Sequence, residues 1–124
     1  MEIIKIHYPV PLNEIEDINN DNIDVFVELE DGFNYSVVVI TPLNLLWYMN
    51  KEGKGYIPAA PPKIIVNSLT EDNIRDALIS YAKDNAFWLK LIFLSYNREI
   101  SFNMEQMNQS LQIIHAKNKE LLME

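Results

Sequence analysis

IDVFVELEDGFNYSVVVI, residues 23–40, is the stretch that decides the fold. Apolar and polar residues alternate in it before and after Asp31-Gly32, and alternation with a period of two is typical of a half-buried strand. A two-residue Asp-Gly loop favours a type I′ turn, which pairs Glu28 with Tyr35 and Val25 with Val38. The sequence therefore predicts an antiparallel β-hairpin with its turn at Asp31-Gly32.

The predicted register also determines which side chains share a face. It places Glu28, Glu30, Phe33 and Tyr35 on one face beside the turn. Residues 37–40 are apolar without alternation, which is typical of a strand in the middle of a sheet with both faces covered. We therefore expect the tip of the hairpin to be its exposed part.

The segments on either side of the hairpin predict further strands. Residues 3–6 predict an edge strand that ends before Pro9, because proline has no amide hydrogen to donate to a sheet. Residues 63–66 predict a buried strand. Residues 87–96 form a nearly continuous apolar run that suits either a strand or a core helix, and their aromatic and branched content favours a strand.

Three helices are predicted as well. Thr41 is a typical N-cap residue, Pro42 suits the first helical position, and Gly53 is a typical C-terminal cap. A helix is therefore expected over 42–52, with Trp47 against the sheet. Ser68 and Glu71 have capping-box spacing at the start of a helix that ends near residue 85. Residues 103–124 have apolar residues near helical spacing, which predicts an amphipathic helix, more usually one that faces the core.

These elements predict an α+β fold. At 124 residues the chain has the length of one domain, which we expect to span residues 1–124. We expect a mostly antiparallel sheet of about four to five strands with about two to three packed helices.

The charge of the chain is concentrated in one stretch. No lysine or arginine lies between Lys5 and Lys51, and the acids outside this stretch balance the ten bases, so the net charge of −8 is local. The eight acids of the stretch are Glu14, Glu16, Asp17, Asp21, Asp24, Glu28, Glu30 and Asp31.

Two interpretations of this acidic stretch remain open. Acids on loops and exposed strand faces increase solubility, which requires no partner. Alternatively, the eight acids form a negative patch that attracts a basic protein, with Phe33 and Tyr35 as aromatic anchors among them. Binding of nucleic acid is not expected, because contact with phosphates requires clustered lysine and arginine.

No pattern of catalytic or metal-binding residues is found. The chain has no cysteine, and His7 and His115 lie far apart without carboxylates at metal-binding spacing. Paired acids such as Glu28 and Glu30 would need a desolvated cleft to act as acid and base. We therefore expect no catalytic residues, no metal and no cofactor, and a protein that is not an enzyme.

The location is predicted from what the sequence does not contain. The first residues do not resemble a secretory signal, and the longest apolar run is far shorter than the ~20 residues of a membrane helix. We expect a cytoplasmic protein without membrane contact.

Residues 25–35, VFVELEDGFNY, and residues 41–46, TPLNLL, carry a resemblance to known proteins. With the order of the predicted elements, they resemble the small acidic immunity proteins of bacterial polymorphic or contact-dependent toxin systems. This resemblance implies a cytoplasmic, non-enzymatic inhibitor that binds a cognate toxin, often a basic nuclease. The alternative hypothesis is a structural or regulatory module that associates with itself through the C-terminal helix and has no toxin partner.

Overall fold

A computed structural model describes residues 1–96 and 103–123 of the chain. Its four strands form one sheet in the order β1-β2-β3-β4, with antiparallel pairing except between β3 and β4, which are parallel. The strands are β1 (Ile3–His7), β2 (Asn22–Leu29), β3 (Asn34–Ile40) and β4 (Ile64–Ile65).

The helices complete the α+β fold that the sequence predicts. A short 3₁₀ helix, Leu12–Glu14, lies in the connector between β1 and β2. The α-helices of the described part are α1 (Pro42–Glu52), α2 (Glu71–Tyr81), α3 (Lys83–Ser95) and α4 (Met104–Met123). None of the helices in the described residues is long and apolar enough to cross a membrane.

The core lies between one face of the sheet and the helices α2 and α3. The inner face of β2 and β3 contributes mainly valines, and the two helices contribute leucine, isoleucine and alanine. Aliphatic residues of this kind fill a packed interior with few voids. The residues that are at most 1% exposed in this layer include Val25, Val27, Leu29, Val37, Val39, Ile64, Leu69, Ile74, Leu78 and Leu89.

The turn of the hairpin differs from the prediction. The loop contains Glu30, Asp31 and Gly32, because the Leu29 amide donates to the Phe33 carbonyl at 3.2 Å and the Gly32 amide donates to the Leu29 carbonyl at 3.0 Å. Gly32 has a φ of 85°, the left-handed conformation that closes three-residue hairpin loops of this kind.

The three-residue loop moves the register by one residue. Tyr35 lies opposite Val27, and Asn34 lies opposite Glu28. Since successive strand residues face opposite sides, this shift turns Tyr35 into the core, away from Glu28. The predicted face shared by Glu28 and Tyr35 is therefore wrong, whereas the central position of β3 is confirmed.

Residues 87–95 are helical, so the predicted strand over 87–96 is wrong. Ala86, Leu89 and Ile92 are buried at intervals of three residues, while Phe87 and Trp88 are exposed. The segment is apolar on its exposed side too, and this is why its hydrophobic pattern shows no helical period.

A backbone break lies in the first turn of α3, close to where the sequence predicts the end of a helix. Asp84, Asn85 and Ala86 have φ values of 53°, 59° and 58°, which are left-handed. This conformation is unfavourable for residues other than glycine, and it ends one helix direction before the next begins. The helix α2 itself ends at Tyr81, before the predicted end near residue 85. Its N-cap is Thr70, whose hydroxyl accepts from the Asn73 amide, and not Ser68.

The bounds of α1 agree with the prediction, but its orientation does not. Thr41 caps the helix by accepting from the Asn44 amide, and Gly53 ends it with a φ of 67°. Trp47 is exposed and lies under the Lys51 ammonium group at 4.8 Å, so it is not an anchor against the sheet. The buried side chain of α1 is Asn44.

The tail forms α4 as predicted, but none of its described residues is buried. The expectation that this helix faces the core is therefore wrong. Glu124, the last residue of the predicted tail helix, lies outside the described residues.

Candidate functional site

The outer face of the sheet, opposite the α2–α3 layer, has an open depression. Side chains from three strands line a cavity of about 400 Å³, and they come from β1, β2 and β3 only. They are Lys5, His7, Phe26, Glu28 and Asn34.

Strand register explains why these side chains meet. Glu28 lies between Lys5 on β1 and Asn34 on β3, and Phe26 lies between His7 and Ser36. Neighbouring strands are about 4.8 Å apart, so side chains in one cross-strand row contact one another. We call the row residues Lys5, His7, Phe26, Glu28 and Asn34, together with Asp24, the outer face.

Phe26 is the aromatic residue at the centre of the outer face. It is 38% exposed, and its ring lies 6.3 Å from that of His7. The sequence did not indicate Phe26 as a site residue, because the predicted register gave the aromatic positions to Phe33 and Tyr35. A predicted loop of three residues instead of two would have turned Tyr35 into the core and left Phe26 as the aromatic residue on the outer side of the strands.

The eight acids do not form one cluster. Glu14, Glu16, Asp17 and Asp21 belong to the connector before β2, while Glu30 and Asp31 belong to the turn after it. β2 has eight residues, and at about 3.3 Å per residue its ends are ~23 Å apart. Asp24 and Glu28 lie on the outer face between these ends.

Half of the acids have a structural role in the turns. Asp17 accepts from the Asn19 amide at 3.0 Å, and Asp21 accepts from the Asn22 amide at 2.7 Å. Glu30 accepts from the Glu2 amide at 3.1 Å, which ties the turn to the start of the chain.

Asp31 has the most partners among the turn acids. One of its oxygens accepts from the Phe33 amide at 3.0 Å, and the other accepts from the Tyr35 hydroxyl at 2.9 Å. In residues 1–96 and 103–123, the carboxylates of the other half of the acids make no hydrogen bond or ion pair: Glu14, Glu16, Asp24 and Glu28.

The two predicted aromatic anchors differ in position. Phe33 is exposed at the hairpin tip, as predicted. Tyr35 is only 7% exposed, and its ring packs edge-on against Phe93 at 5.3 Å. Tyr35 is therefore a core residue whose hydroxyl reaches the turn, and it is not available as a surface anchor.

Lys5 partly balances the outer face. The sequence has no base within the acidic stretch, but β1 brings Lys5 directly opposite Glu28. No ion pair within 4.0 Å joins them in the described structure. The uncompensated charge is therefore greatest at Asp24 and on the connector.

Burial, the hydrogen bond to Asp31 and the negative charge of Asp31 together raise the pKa of Tyr35 to about 12, with burial the largest cause. A pKa above the unfolded value of 10 means that the neutral phenol stabilises the fold below pH 10. This stabilisation is lost as the pH rises toward 12. It amounts to about 3 kcal/mol, since the rise from 10 to about 12 is two pKa units and each corresponds to ~1.4 kcal/mol.

We therefore expect Tyr35→Phe to reduce the fall in unfolding free energy between pH 9 and 12, measured by urea denaturation. Burial also raises the pKa of Tyr8 and Tyr96, so part of the fall remains in the variant. Tyr56→Phe, at an exposed position, is the control and should behave as the parent does. An identical alkaline fall in parent and Tyr35→Phe would contradict the raised pKa of Tyr35.

The described residues offer no cluster of three or more histidine or acidic side chains that could bind a metal ion. Comparison with protein family models, with curated proteins and with solved structures gives no match.

Proposed function

We propose that this chain is a non-enzymatic, immunity-type protein that binds and neutralises a basic protein, such as a toxin nuclease domain. The observation that supports this most is the outer face, where the exposed ring of Phe26 lies between the unpaired carboxylates of Asp24 and Glu28. Protein interfaces commonly combine an aromatic anchor with a charged rim that selects the partner.

The shape of this region is consistent with a protein partner. The depression is broad and open, and the acids extend from it along β2 toward the connector. A partner with a convex basic surface could contact Phe26 and the two acids beside it, Asp24 and Glu28, at the same time. Because opposite charges steer association, such a complex forms faster at low salt.

The test uses the product of the gene next to the one that encodes this chain, titrated by calorimetry at low and high salt. The variant Asp24→Lys/Glu28→Lys reverses the two acids of the outer face. We expect it to bind about 10- to 100-fold more weakly, since like charges across an interface oppose binding. Phe26→Ala is expected to weaken binding about 10-fold at every salt concentration, as loss of an anchor does.

The matched control is Glu52→Lys/Asp76→Lys, which changes the net charge by the same amount on α1 and α2, at exposed positions. We expect it to retain most of the affinity. If the outer-face and control variants bind equally well, the partner uses another surface. If the neighbouring product does not bind at all and its toxicity is not relieved by co-expression, the immunity proposal is wrong.

A further inference from the structure

The helix α4 is unusual among the helices of the described structure because it buries none of its residues. It has 20 residues, which makes it about 30 Å long. Five of its large apolar side chains, which are between 38% and 68% exposed, are Met104, Met107, Leu111, Ile114 and Leu121. A helix with such an apolar stripe in water is stabilised when another surface covers the stripe.

The spacing of this stripe identifies the surface that fits it. Residues 104, 107, 111, 114 and 121 follow the alternating intervals of three and four that define positions a and d of a heptad. Residue 118, the remaining a position, is asparagine. A single asparagine at an a position is typical of coiled coils in which it fixes register and the number of strands.

We propose that α4 pairs in parallel and in register with α4 of a second copy of this chain, as a two-stranded coiled coil. In this arrangement each Asn118 faces its counterpart in the second copy. We call the line of contact between the two helices, residues 104, 107, 111, 114, 118 and 121, the seam. Inside it the two Asn118 amides can donate to and accept from each other, which satisfies both.

The antiparallel arrangement fits less well. If Leu111 packs against Ile114 of the reversed helix, Asn118 lies opposite Met107. A methionine side chain offers at most a weak acceptor, so the two asparagines would lose their partners. The parallel pair is therefore the one in which every seam residue has a suitable neighbour.

The charges of α4 permit two copies to approach. Glu105 and Glu120 are balanced by Lys117 and Lys119, so the helix has no formal net charge although the whole chain has −8. The flanking e and g positions within the helix carry no acid. In a parallel pair each g residue lies near an e residue of the other helix, and none of these contacts joins two like charges. Those positions are Asn108, Ser110, His115, Lys117 and Leu122.

The size of the seam sets the strength of the dimer. A strip about 30 Å long and ~10 Å wide projects to about 300 Å² per chain, while stable interfaces bury ~800 Å² per partner. We therefore expect a dimer that dissociates in the micromolar range, so the mass has to be followed over a dilution series.

The first experiment measures the mass of the full chain by sedimentation equilibrium, from micromolar to near-millimolar concentration. We expect an apparent mass that doubles from 14.5 kDa with concentration. Leu111→Glu, in the seam, should hold the mass at that of the monomer. Ile113→Glu is the matched control: Ile113 is 59% exposed against 58% for Leu111, but it lies outside the seam, and this variant should still dimerise.

The second experiment tests orientation. Because the chain has no cysteine, Leu121→Cys introduces a single thiol. In the parallel pair the two thiols face each other within reach of a disulfide, and mild oxidation with diamide should cross-link most of the protein. In the antiparallel pair they would be about 25 Å apart, since 121 then lies opposite 104, and no cross-link should form.

A parent chain that stays monomeric at all concentrations would overturn the proposal. That result is expected if α4 folds back onto its own domain or binds a different protein. A dimer that Leu111→Glu and Ile113→Glu weaken equally would overturn it too. The seam shares no residue with the outer face. Loss of dimerisation therefore leaves the proposed partner binding intact, and loss of partner binding leaves dimerisation intact. Circular dichroism of each variant separates loss of pairing from loss of the fold.

Discussion

Leu89→Ala is expected to lower the free energy of unfolding by about 2–5 kcal/mol. Leu89 is completely buried on the side of α3 that faces the sheet. Alanine removes the contacts of three carbon atoms and leaves a cavity that the neighbouring helix α2 and the strands cannot fully close. Urea denaturation followed by far-ultraviolet circular dichroism gives the value.

The neighbouring residue provides the control for this experiment. Trp88 has a larger side chain, but it is 52% exposed, so Trp88→Ala should cost about 1 kcal/mol or less. A strand buried on both faces would make the two substitutions comparably costly, because adjacent residues would each lie in a core. Equal losses for Leu89→Ala and Trp88→Ala would therefore contradict the helix at this position.

Asn44→Leu is expected to cost about 3 kcal/mol, although leucine is the more hydrophobic residue. Asn44 is 6% exposed; its side chain accepts from Nδ2 of Asn22 at 2.8 Å and donates to Oδ1 of Asn20 at 3.0 Å. Leucine leaves Oδ1 of Asn20 without this donor and leaves Nδ2 of Asn22 with only its 3.4 Å bond to the Tyr48 hydroxyl, and each lost hydrogen bond in a partly buried place costs ~1–3 kcal/mol. Thermal denaturation at neutral pH measures the loss.

Asn50→Leu is the matched control, since Asn50 lies on the same helix and is exposed. It should change the unfolding free energy by less than about 0.5 kcal/mol. A small effect of Asn44→Leu would mean that water replaces the asparagine without loss. In that case the connector would not depend on α1 for its position.

The sequence was sufficient for the elements whose ends are marked by specific residues. Thr41, Pro42 and Gly53 predict both ends of α1, because capping chemistry is local. The same locality does not determine how a helix is rotated on the domain. The apolar Leu43 and Trp47 predict that their side of α1 is buried. Instead they are exposed, and α1 buries Asn44, which bonds to the polar connector before β2.

The segment that was predicted incorrectly lacks such local information. Residues 87–95 are apolar on all sides, so periodicity cannot separate a helix from a strand. Its helical state depends on packing against distant residues, as the contact between Phe93 and Tyr35 illustrates. Only the break at 84–86 was marked in the sequence, by the end of the preceding apolar stripe.

The candidate site was predictable in charge but not in shape. The count of acids between Lys5 and Lys51 needs no structure. The division of these acids among connector, outer face and turn depends on strand register, and so does the exchange of Tyr35 for Phe26 as the central aromatic residue. One residue in the loop therefore separated the predicted surface from the observed one.

The three-residue turn has a consequence for how this hairpin can change in length. Each residue added to or removed from the loop exchanges the two sides of β3 relative to β2, because side chains alternate. Changes by two residues preserve the sides, whereas changes by one would bring Tyr35, Val37 and Val39 into water. The loop thus has a parity, and insertions of even length are the ones that this domain can accept without inverting a strand.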